Sequence, residues 1–247
     1  MPDVRIFTDA HALAQAAADL FIETTRTAIS TRGACRVVLA GGSTPQALYA
    51  LLASAAYRER VAWDKLHIFF GDERCVPPEH TDSNYRKARE SLLSHVPVLP
   101  ENIYRIPAEL EPERAAETYE ERLLAYFSSQ LDTPGSTSAQ FDLVLLGMGD
   151  DGHTASLFPG TPAINETRRW VAAQYVDKLA AWRITLTPAL LNRAARILFL
   201  VAGSGKSYAL QRVIYGSYQP ERYPAQVINP SSNHLTWMID EPAASLF

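Results

Sequence analysis

The feature that most constrains the fold is a largely apolar run at residues 141–146 that leads directly into a glycine-rich, acidic turn. The run, FDLVLL, has the profile of a strand buried on both faces of a parallel sheet. It is followed at 147–153 by GMGDDGH, whose glycines allow a sharp turn and a close approach to a ligand. Because ligands of open α/β sheets bind beyond the carboxyl ends of the strands, this turn is the first candidate for a functional site.

The rest of the chain alternates short apolar runs with segments of helical spacing. This alternation predicts an α/β fold of three layers, αβα, with a mostly parallel, Rossmann-like sheet. The polar segment 132–139 is too short to divide domains, so we expect one domain over residues 1–247. The predicted strands are 4–8, 36–40, 66–70, 141–146, 170–175, 182–186, 195–202 and 235–239, with 97–107 extended. The predicted helices are 11–30, capped by Asp9, then 46–53, 83–93, 112–127, a short one after Pro188, 206–214 and 240–247.

Composition excludes several classes of partner. The 247 residues carry a net charge of −4, which offers no footprint for nucleic acid and no basic patch for a membrane surface. An anionic substrate must therefore be held by a local cluster of basic groups. The two cysteines have neither metal-ligand spacing nor the pattern of a disulfide framework, and no apolar run is long enough to cross a bilayer. With no secretory signal visible at the start, we expect a cytoplasmic protein.

The segment GGSTP at 41–45 is the first candidate anion site, since it lies between a predicted strand and a predicted helix. Gly41 and Gly42 allow close approach of a ligand, while Ser43 and Thr44 can donate hydrogen bonds. The free N–H groups and the positive end of the helix dipole attract a phosphate. The alternative is an ordinary capped helix start, with Pro45 at the first helical position.

The segment GSGKS at 203–207 is a second candidate and superficially resembles a nucleotide-binding loop. A P-loop needs G-x-x-x-x-G-K-[ST], and the position that must be glycine is Leu200, inside a predicted strand. We therefore exclude ATP and GTP. A short turn with Lys206 at a helix start still suits a single phosphate, although an exposed lysine at a turn is the plain alternative.

Two arginines complete the set of candidate anion ligands. Arg74, in GDER at 71–74, is planar and always charged, so it suits a carboxylate, a phosphate or a developing oxyanion. Asp72 could orient Arg74 or His153, or act as a base itself, and the alternative is a local ion pair in a turn. Arg183 lies in a predicted strand with apolar neighbours, where it needs an acid or a bound anion as its partner.

His153 is the candidate general base, because it is the histidine that stands in a glycine-rich and acidic context. Asp150 or Asp151 can fix its tautomer and raise its basicity, as water activation requires. A metal site built from Asp72, Asp150, Asp151 and His153 matches no known ligand spacing, so we expect no metal. An activated thiolate at Cys75, paired with His153, is a further alternative, although Cys75 more simply fills a loop position.

These motifs, in this order, resemble those of the 6-phosphogluconolactonases that are related to the glucosamine-6-phosphate isomerases. The resemblance covers nearly the whole chain: AGGSTP at 40–45, FGDERCVP at 70–77, DSNY at 82–85, LLGMGDDGHTASLFPG at 145–160, RITLTP at 183–188, the glycine–lysine turn at 203–207 and HLTWMIDEPAASL at 234–246. Each motif alone is weak or moderate evidence, whereas together and in register they are specific.

The resemblance implies hydrolysis of 6-phospho-D-glucono-1,5-lactone to 6-phosphogluconate, in the second step of the oxidative pentose phosphate pathway. It implies a metal-independent reaction, and we expect no cofactor and a monomer. Carried onto matching positions, it makes His153 the general base and Asp151 its orienting partner. The remaining residues would line the site, as Arg74 and Asp72, or hold the phosphate, as Ser43, Thr44, Arg183 and Lys206 beside Gly41 and Gly42.

Two other functions are alternatives to lactone hydrolysis. The sister family deaminates and isomerises amino-sugar phosphates, and it follows Asp-Gly-His with IAFNEPG, whereas this chain has TASLFPG at 154–160. Phe158 thus replaces the glutamate used in ring opening, and Arg74 stands where that family has tyrosine. A non-catalytic sugar-phosphate sensor is a further alternative, although no DNA-binding helix-turn-helix is visible.

Overall fold

The computed structural model describes residues 3–130 and 139–247, so that most of the predicted linker at 132–139 lies outside the described residues. Ten strands are formed in these ranges: β1 Asp3–Phe7, β2 Cys35–Leu39, β3 Leu66–Phe70, β4 Asp72–Arg74, β5 Ile103–Tyr104, β6 Leu143–Leu146, β7 Val171–Val176, β8 Ala181–Leu186, β9 Ile197–Val201 and β10 Leu235–Asp240. The α-helices there are α1 Ala10–Arg32, α2 Ser43–Ala53, α3 Ala55–Arg58, α4 Asn84–Ala88, α5 Pro112–Gln130, α6 Pro188–Leu191 and α7 Ser207–Tyr215.

Seven strands form one sheet in the order β1-β10-β9-β6-β2-β3-β5, and every neighbouring pair is parallel. All residues of β2, β6 and β9 are buried, as the continuous apolar runs in their sequences predict. Helices connect and flank these strands. The predicted α/β fold with a mostly parallel sheet is therefore confirmed, and the carboxyl ends of β2, β6 and β9 share one edge.

A second, smaller sheet was not predicted. It has the order β4-β8-β7 and is antiparallel, and only Gly71 separates its first strand from the end of β3. The junction is fixed by the N–H of Leu186, which donates to the carbonyl of Gly71 at 2.8 Å. As a result, Asp72–Arg74 is a strand rather than the turn expected from the sequence, and alternate side chains of β4 point to opposite sides.

Local signals set the helix ends where a side chain or a glycine satisfies the backbone. The carboxylate of Asp9 accepts from the N–H groups of His11 and Ala12 at 2.9 and 2.8 Å, which confirms the predicted N-cap of α1. Gly33 ends α1 in the left-handed conformation, with φ of 77°. α2 begins three residues earlier than predicted, at Ser43, so Pro45 occupies the third helical position.

Two predictions near strand ends were wrong. Residues 97–107 are not simply extended, since they contain a 3₁₀ turn at Pro100–Asn102 and the edge strand β5. The predicted helix at 240–247 is absent, since Asp240 is the last residue of β10 and residues 241–246 form turns. The carboxylate of Asp240 accepts from the N–H of Ala243 at 2.8 Å and also from that of Gly203 at 2.9 Å. This carboxylate therefore anchors a turn to the end of β9.

Candidate active site

One cavity of about 220 Å³ lies where the loops after β2, β3, β6 and β9 meet. Eight of the ten residues predicted for the site line it: Gly41, Gly42, Ser43, Thr44, Asp72, Arg74, His153 and Lys206. The other two do not line the cavity but lie next to residues that do. Asp151 hydrogen-bonds to His153, and Arg183 lies opposite Arg74 in the small sheet. The sheet thus brings together side chains that are up to 165 positions apart in sequence, because parallel strands present their carboxyl ends at one edge.

The turn after β6 pairs His153 with Asp151. Nδ1 of His153 lies 2.6 Å from Oδ1 of Asp151, and the same oxygen accepts from the backbone N–H of His153 at 3.2 Å. An ionised carboxylate can only accept, so this contact places the proton on Nδ1 and leaves Nε2 as the basic nitrogen. Asp150 is exposed, so Asp151 is the carboxylate that orients the imidazole.

Lys178 holds the second oxygen of Asp151, and sequence reasoning missed it. Its Nζ lies 3.0 Å from Oδ2 of Asp151, and it projects from a 3₁₀ turn, Asp177–Leu179, between β7 and β8. Partial burial would raise the pKa of Asp151, but the hydrogen bonds and charges of His153 and Lys178 hold that pKa well below its ordinary value. The carboxylate is therefore ionised whenever the site is working. No motif marks Lys178, because the β7–β8 hairpin alone delivers it.

Phe158 forms an aromatic wall for the imidazole. Its ring stacks on that of His153 with centroids 4.0 Å apart and an angle of 24° between the planes. The sequence identified Phe158 only as the replacement for an acid, whereas the structure shows what it contacts. The ring of His153 is thus held on one edge by Asp151 and on one face by Phe158.

Two glycines give the turn its shape. A Cβ atom on Gly149 would lie 2.0 Å from Nδ1 of His153, so no larger residue allows the ring this position. Gly152 has φ of 78°, in the left-handed region where glycine carries no steric cost. The N–H of Gly149 donates to the carbonyl of His153 at 2.8 Å, which closes the turn. We call residues 147–158 the dyad loop.

The N-terminus of α2 faces the same cavity. Gly42 precedes the helix with φ of 99° and offers no side-chain cap, so the first helical N–H groups, at Ser43 and Thr44, keep their donor capacity. Gly41 is required for a different reason, because a Cβ there would lie 2.2 Å from Oδ1 of Asn84. The backbone of 41–44 can therefore approach and bind an anion.

Arg74, Arg183 and Lys206 form what we call the cationic cluster. Arg74 and Arg183 are direct partners in the antiparallel register of β4 and β8. Their guanidinium groups donate to backbone carbonyls, of Asp82 at 2.6 Å and of Trp182 at 3.0 Å. In the described ranges, no member of the cluster forms an ion pair with a carboxylate.

The positive charges of the cluster act on one another. Burial and the neighbouring charge of Arg74 lower the pKa of Arg183, although Asp72 partly opposes this shift. Two like charges placed side by side repel each other unless an anion is bound between them. The cluster and the N-terminus of α2 together are therefore built to receive a polyanionic group.

Asp72 is placed differently from its predicted role. Its carboxylate accepts from the hydroxyl of Ser156 at 2.7 Å and from the amide of Asn84 at 3.2 Å. It has no hydrogen bond to Arg74 or His153, so the structure does not support its orienting either of them. Asp72 instead ties the dyad loop to α4, and its role as a base stays a prediction.

Glu73, which was not predicted from the sequence, connects β4 to the start of α4. Its buried carboxylate accepts from the backbone N–H groups of Arg74, Asn84 and Tyr85, at 2.7–2.8 Å, and from the hydroxyl of Ser83 at 3.1 Å. Burial raises the pKa of Glu73 against the effect of these donors. The alternation of β4 sends Glu73 inward and Arg74 toward the cavity.

Several classes of site have no counterpart in the described part of the chain. Within residues 3–130 and 139–247, no three histidine, cysteine or acidic side chains are grouped so as to hold a metal ion. None of the helices described there is both long and apolar enough to traverse a bilayer. Cys35 and Cys75 are free thiols, and burial raises the pKa of Cys75 to about 11, which opposes a reactive thiolate at that position.

The fold and the cavity define an α/β protein in which a histidine–aspartate pair and an anion cradle share one site. The model of the family of glucosamine-6-phosphate isomerases and 6-phosphogluconolactonases matches residues 8–237. The chain belongs to this family.

Individual relatives agree with this assignment. A 6-phosphogluconolactonase of a Synechocystis strain is 43% identical over 217 residues, which cover 87% of this chain and 86% of the relative. One from a Nostoc strain is 39% identical and covers 98% of this chain and 97% of its own length. The solved structure of a 6-phosphogluconolactonase from Trypanosoma cruzi is 27% identical, superimposes with a TM-score of 0.85 and covers 100% of this chain and 97% of the other.

Proposed function

We propose that this protein hydrolyses 6-phospho-D-glucono-1,5-lactone to 6-phosphogluconate, in the oxidative pentose phosphate pathway. The observation that carries the proposal is the single cavity that combines the His153–Asp151 pair with the unpaired cationic cluster. The relatives with which the chain shares its length carry the name of this activity. The phosphate and the lactone carbonyl lie at opposite ends of this small substrate. The substrate can therefore present its carbonyl to His153 and its phosphate to the cationic groups.

In the proposed mechanism, His153 activates water. Nε2 takes a proton as the water oxygen attacks the lactone carbonyl, and a tetrahedral oxyanion forms. When this intermediate collapses, the ring C–O bond breaks and the imidazolium returns its proton to the departing ring oxygen. Asp151 stays ionised and stabilises the imidazolium between the two steps. General acid–base catalysis of this kind contributes ~10²–10⁴-fold to the rate.

The oxyanion needs a donor, and the geometry narrows the choice. The N–H groups of Gly149 and Gly152 already donate to carbonyls within the dyad loop, so they are not free to bind it. Arg74 lines the cavity with donors that no carboxylate occupies. We therefore assign the oxyanion to Arg74, where a preorganised charge lowers the barrier without reorganisation.

The phosphate is assigned to the N–H groups of Ser43 and Thr44 with Lys206 and Arg183. Binding the remote phosphate positions the carbonyl against the activated water, so that its binding energy contributes to the rate. Because this chain itself supplies the base, its orienting carboxylate and the cationic groups, we propose that the protein acts as a monomer. We also propose that it is cytoplasmic, with two free thiols suited to a reducing compartment.

The chain lacks the glutamate that the sister family uses in deamination. Phe158, at the position of the sister family's glutamate, packs its ring on His153 at 4.0 Å, so an apolar ring occupies the space beside the imidazole. Ring opening of an amino sugar has no carboxylate to assist it at this position.

Two assays on the purified protein test the proposal. Acid release from the phosphorylated lactone, measured at constant pH against the uncatalysed rate, should increase in proportion to protein concentration. Ammonia release from glucosamine 6-phosphate should stay at background. Ammonia release without lactone turnover would identify a deaminase, and binding of either compound without turnover would identify a sensor.

A further inference from the structure

A second cavity lies beside the dyad loop and contains two arginines but no acid. Its volume is about 160 Å³, and it shares no lining residue with the first cavity. Its lining residues come from α7 and the loop that follows: Tyr208, Arg212, Gly216, Ser217, Gln219, Arg222 and Tyr223. In a protein with a net charge of −4, two converging guanidinium groups without an acidic partner in their cavity indicate a site for a negative charge.

Both guanidinium groups are held in place by aromatic rings. Arg212 lies over the ring of Tyr208 at 5.4 Å, and Arg222 lies over that of Tyr223 at 5.5 Å. Cation–π contacts of this kind fix the direction of the guanidinium fork at little cost in side-chain freedom. The pKa of Tyr208 is lowered by hydrogen bonding to Tyr223 and to Arg212, as expected where the surroundings favour an anion.

The loop that carries Arg222 is organised by one glutamine. The side chain of Gln226 accepts from the N–H of Gln219 at 2.7 Å and donates to the carbonyls of Arg212 and Ser217, each at 3.0 Å. Gly216 is required at the end of α7, because a Cβ there would lie 2.4 Å from the carbonyl oxygen of Arg212. The cavity is thus a formed feature of the fold rather than a gap between freely moving side chains.

The same loop contacts the dyad loop. A Cβ on Gly152 would lie 3.2 Å from the ring of Tyr223, and the N–H of Ala225 donates to the carbonyl of Gly152 at 2.9 Å. Gly152 immediately precedes His153. An occupant of the second cavity would therefore lie against the residues that shape the turn of the first.

We propose that Arg212, Arg222 and the hydroxyls of Tyr208 and Ser217 form a second anion site, which binds a phosphate monoester. A phosphate group offers three terminal oxygens, enough for both guanidinium forks and a hydroxyl donor, whereas a carboxylate offers only two. The site is separate from the candidate active site, and the inference does not depend on which reaction the first cavity catalyses.

Inorganic phosphate is the probe for a first test on the full-length protein. Backbone amide shifts are followed by NMR during a phosphate titration, with sodium chloride at matched ionic strength as the reference. The amides of 216–223 should shift saturably, with an apparent Kd on the order of millimolar, because two charge-assisted contacts give affinities in that range. The amides of Ser43 and Thr44 report the first cavity in the same experiment.

Substitution then locates the effect. In the double variant Arg212→Gln, Arg222→Gln, the Kd obtained from the shifts at 216–223 should rise at least about tenfold. The shifts at Ser43 and Thr44 should persist with an unchanged Kd. The matched control, Arg26→Gln with Arg122→Gln, removes the same charge from exposed positions elsewhere and should change neither. Each single variant should give an intermediate Kd, so the test does not depend on the folding of the double variant.

Three results would overturn the proposal. The first is an absence of saturable shifts at 216–223 in the wild-type protein. The second is an unchanged Kd in the double variant. The third is loss of the shifts at both cavities together, which would make the two arginines part of one continuous site. Repeating the titration with 6-phosphogluconate distinguishes a sugar phosphate from free phosphate as the preferred source of the group.

Discussion

The dyad loop and the cationic cluster border the same cavity but satisfy their charges in opposite ways. In the dyad loop, both oxygens of Asp151 are engaged, one by His153 at 2.6 Å and the other by Lys178 at 3.0 Å. In the cationic cluster, Arg74 and Arg183 are partners across two strands without a carboxylate between them. The charges of the first region are satisfied within the protein, whereas those of the second would be satisfied by the phosphate that we propose as its ligand.

This difference separates chemistry from binding. A group that must transfer a proton needs a fixed tautomer and a fixed orientation before the substrate arrives. A group that binds a phosphate gains most when its charge is neutralised only by that phosphate. Substitutions in the dyad loop and at the two members of the cationic cluster assigned to the phosphate should therefore affect different kinetic constants, and five variants test this from the largest effect to the smallest.

Removing the base should have the largest effect. We expect His153→Ala to lower kcat for the phosphorylated lactone by about 10²–10⁴-fold, with KM little changed, since water is no longer deprotonated during attack. Steady-state acid release gives both constants. His11→Ala removes an exposed histidine that does not line the cavity and should leave both constants unchanged. Near-full activity in His153→Ala would show that another group is the base.

Removing the charge that orients the base should come next. Asp151→Asn keeps the shape but lets the amide donate to Nδ1, which favours the wrong tautomer of His153; in serine proteases the corresponding change lowers kcat by up to about 10⁴-fold. We expect a fall of at least about 10-fold in kcat, again without a rise in KM. An Asp151→Asn protein with wild-type kcat would remove Asp151 from the mechanism.

Substitutions at Lys206 and Arg183, the two members of the cationic cluster assigned to the phosphate, should affect KM instead. Lys206→Ala and Arg183→Ala each remove one proposed charged contact to the phosphate, which corresponds to about 10–100-fold in affinity. Lys65→Ala, an exposed lysine in the turn before β3, is the matched control. A fall in kcat at unchanged KM for either variant would contradict the division of roles.

The smallest effect is expected from Lys178, and it concerns pH. The hydrogen bonds and charges of His153 and Lys178 hold the pKa of Asp151 well below its ordinary value, against the effect of burial, so Asp151 stays ionised throughout the neutral pH range. Lys178→Met removes one of these causes and raises the pKa of Asp151, so we expect the loss of kcat/KM at acid pH (the acid limb of the profile) to begin at a higher pH than in the wild-type protein.

The control for this variant keeps the charge. Lys178→Arg should restore the wild-type profile, because a guanidinium can also hold Oδ2 of Asp151. An acid limb that moves downward in Lys178→Met, or that Lys178→Arg fails to restore, would show that Lys178 does not act through Asp151.

The comparison also shows what could be predicted from sequence. The residues at the ends of the buried strands were identified because a parallel sheet collects them at one edge, as with Ser43, His153 and Lys206. Each is marked locally by an apolar run that ends in a glycine-rich turn. The predicted α/β fold followed from the same alternation.

The features that were missed arise from pairing between distant segments. The small sheet joins β4 to β8 across more than a hundred positions of sequence, and it alone places Arg183 opposite Arg74. Lys178 reaches Asp151 only because the β7–β8 hairpin turns beside the dyad loop. In the sequence, Glu73 is indistinguishable from an ordinary acid in a turn. Only the structure shows that its carboxylate accepts from three backbone N–H groups. Periodicity reports burial along one segment and cannot report such contacts.

The central claim is that one site hydrolyses the lactone with the base His153 and recognises its phosphate with Lys206 and Arg183. The most direct test is the ratio of kcat/KM for 6-phospho-D-glucono-1,5-lactone to that for unphosphorylated D-glucono-1,5-lactone, in wild type, Lys206→Ala and His153→Ala. We expect the ratio to fall about 10–100-fold in Lys206→Ala and to stay at the wild-type value in His153→Ala, where both reactions slow together. An unchanged ratio in Lys206→Ala would contradict the claim.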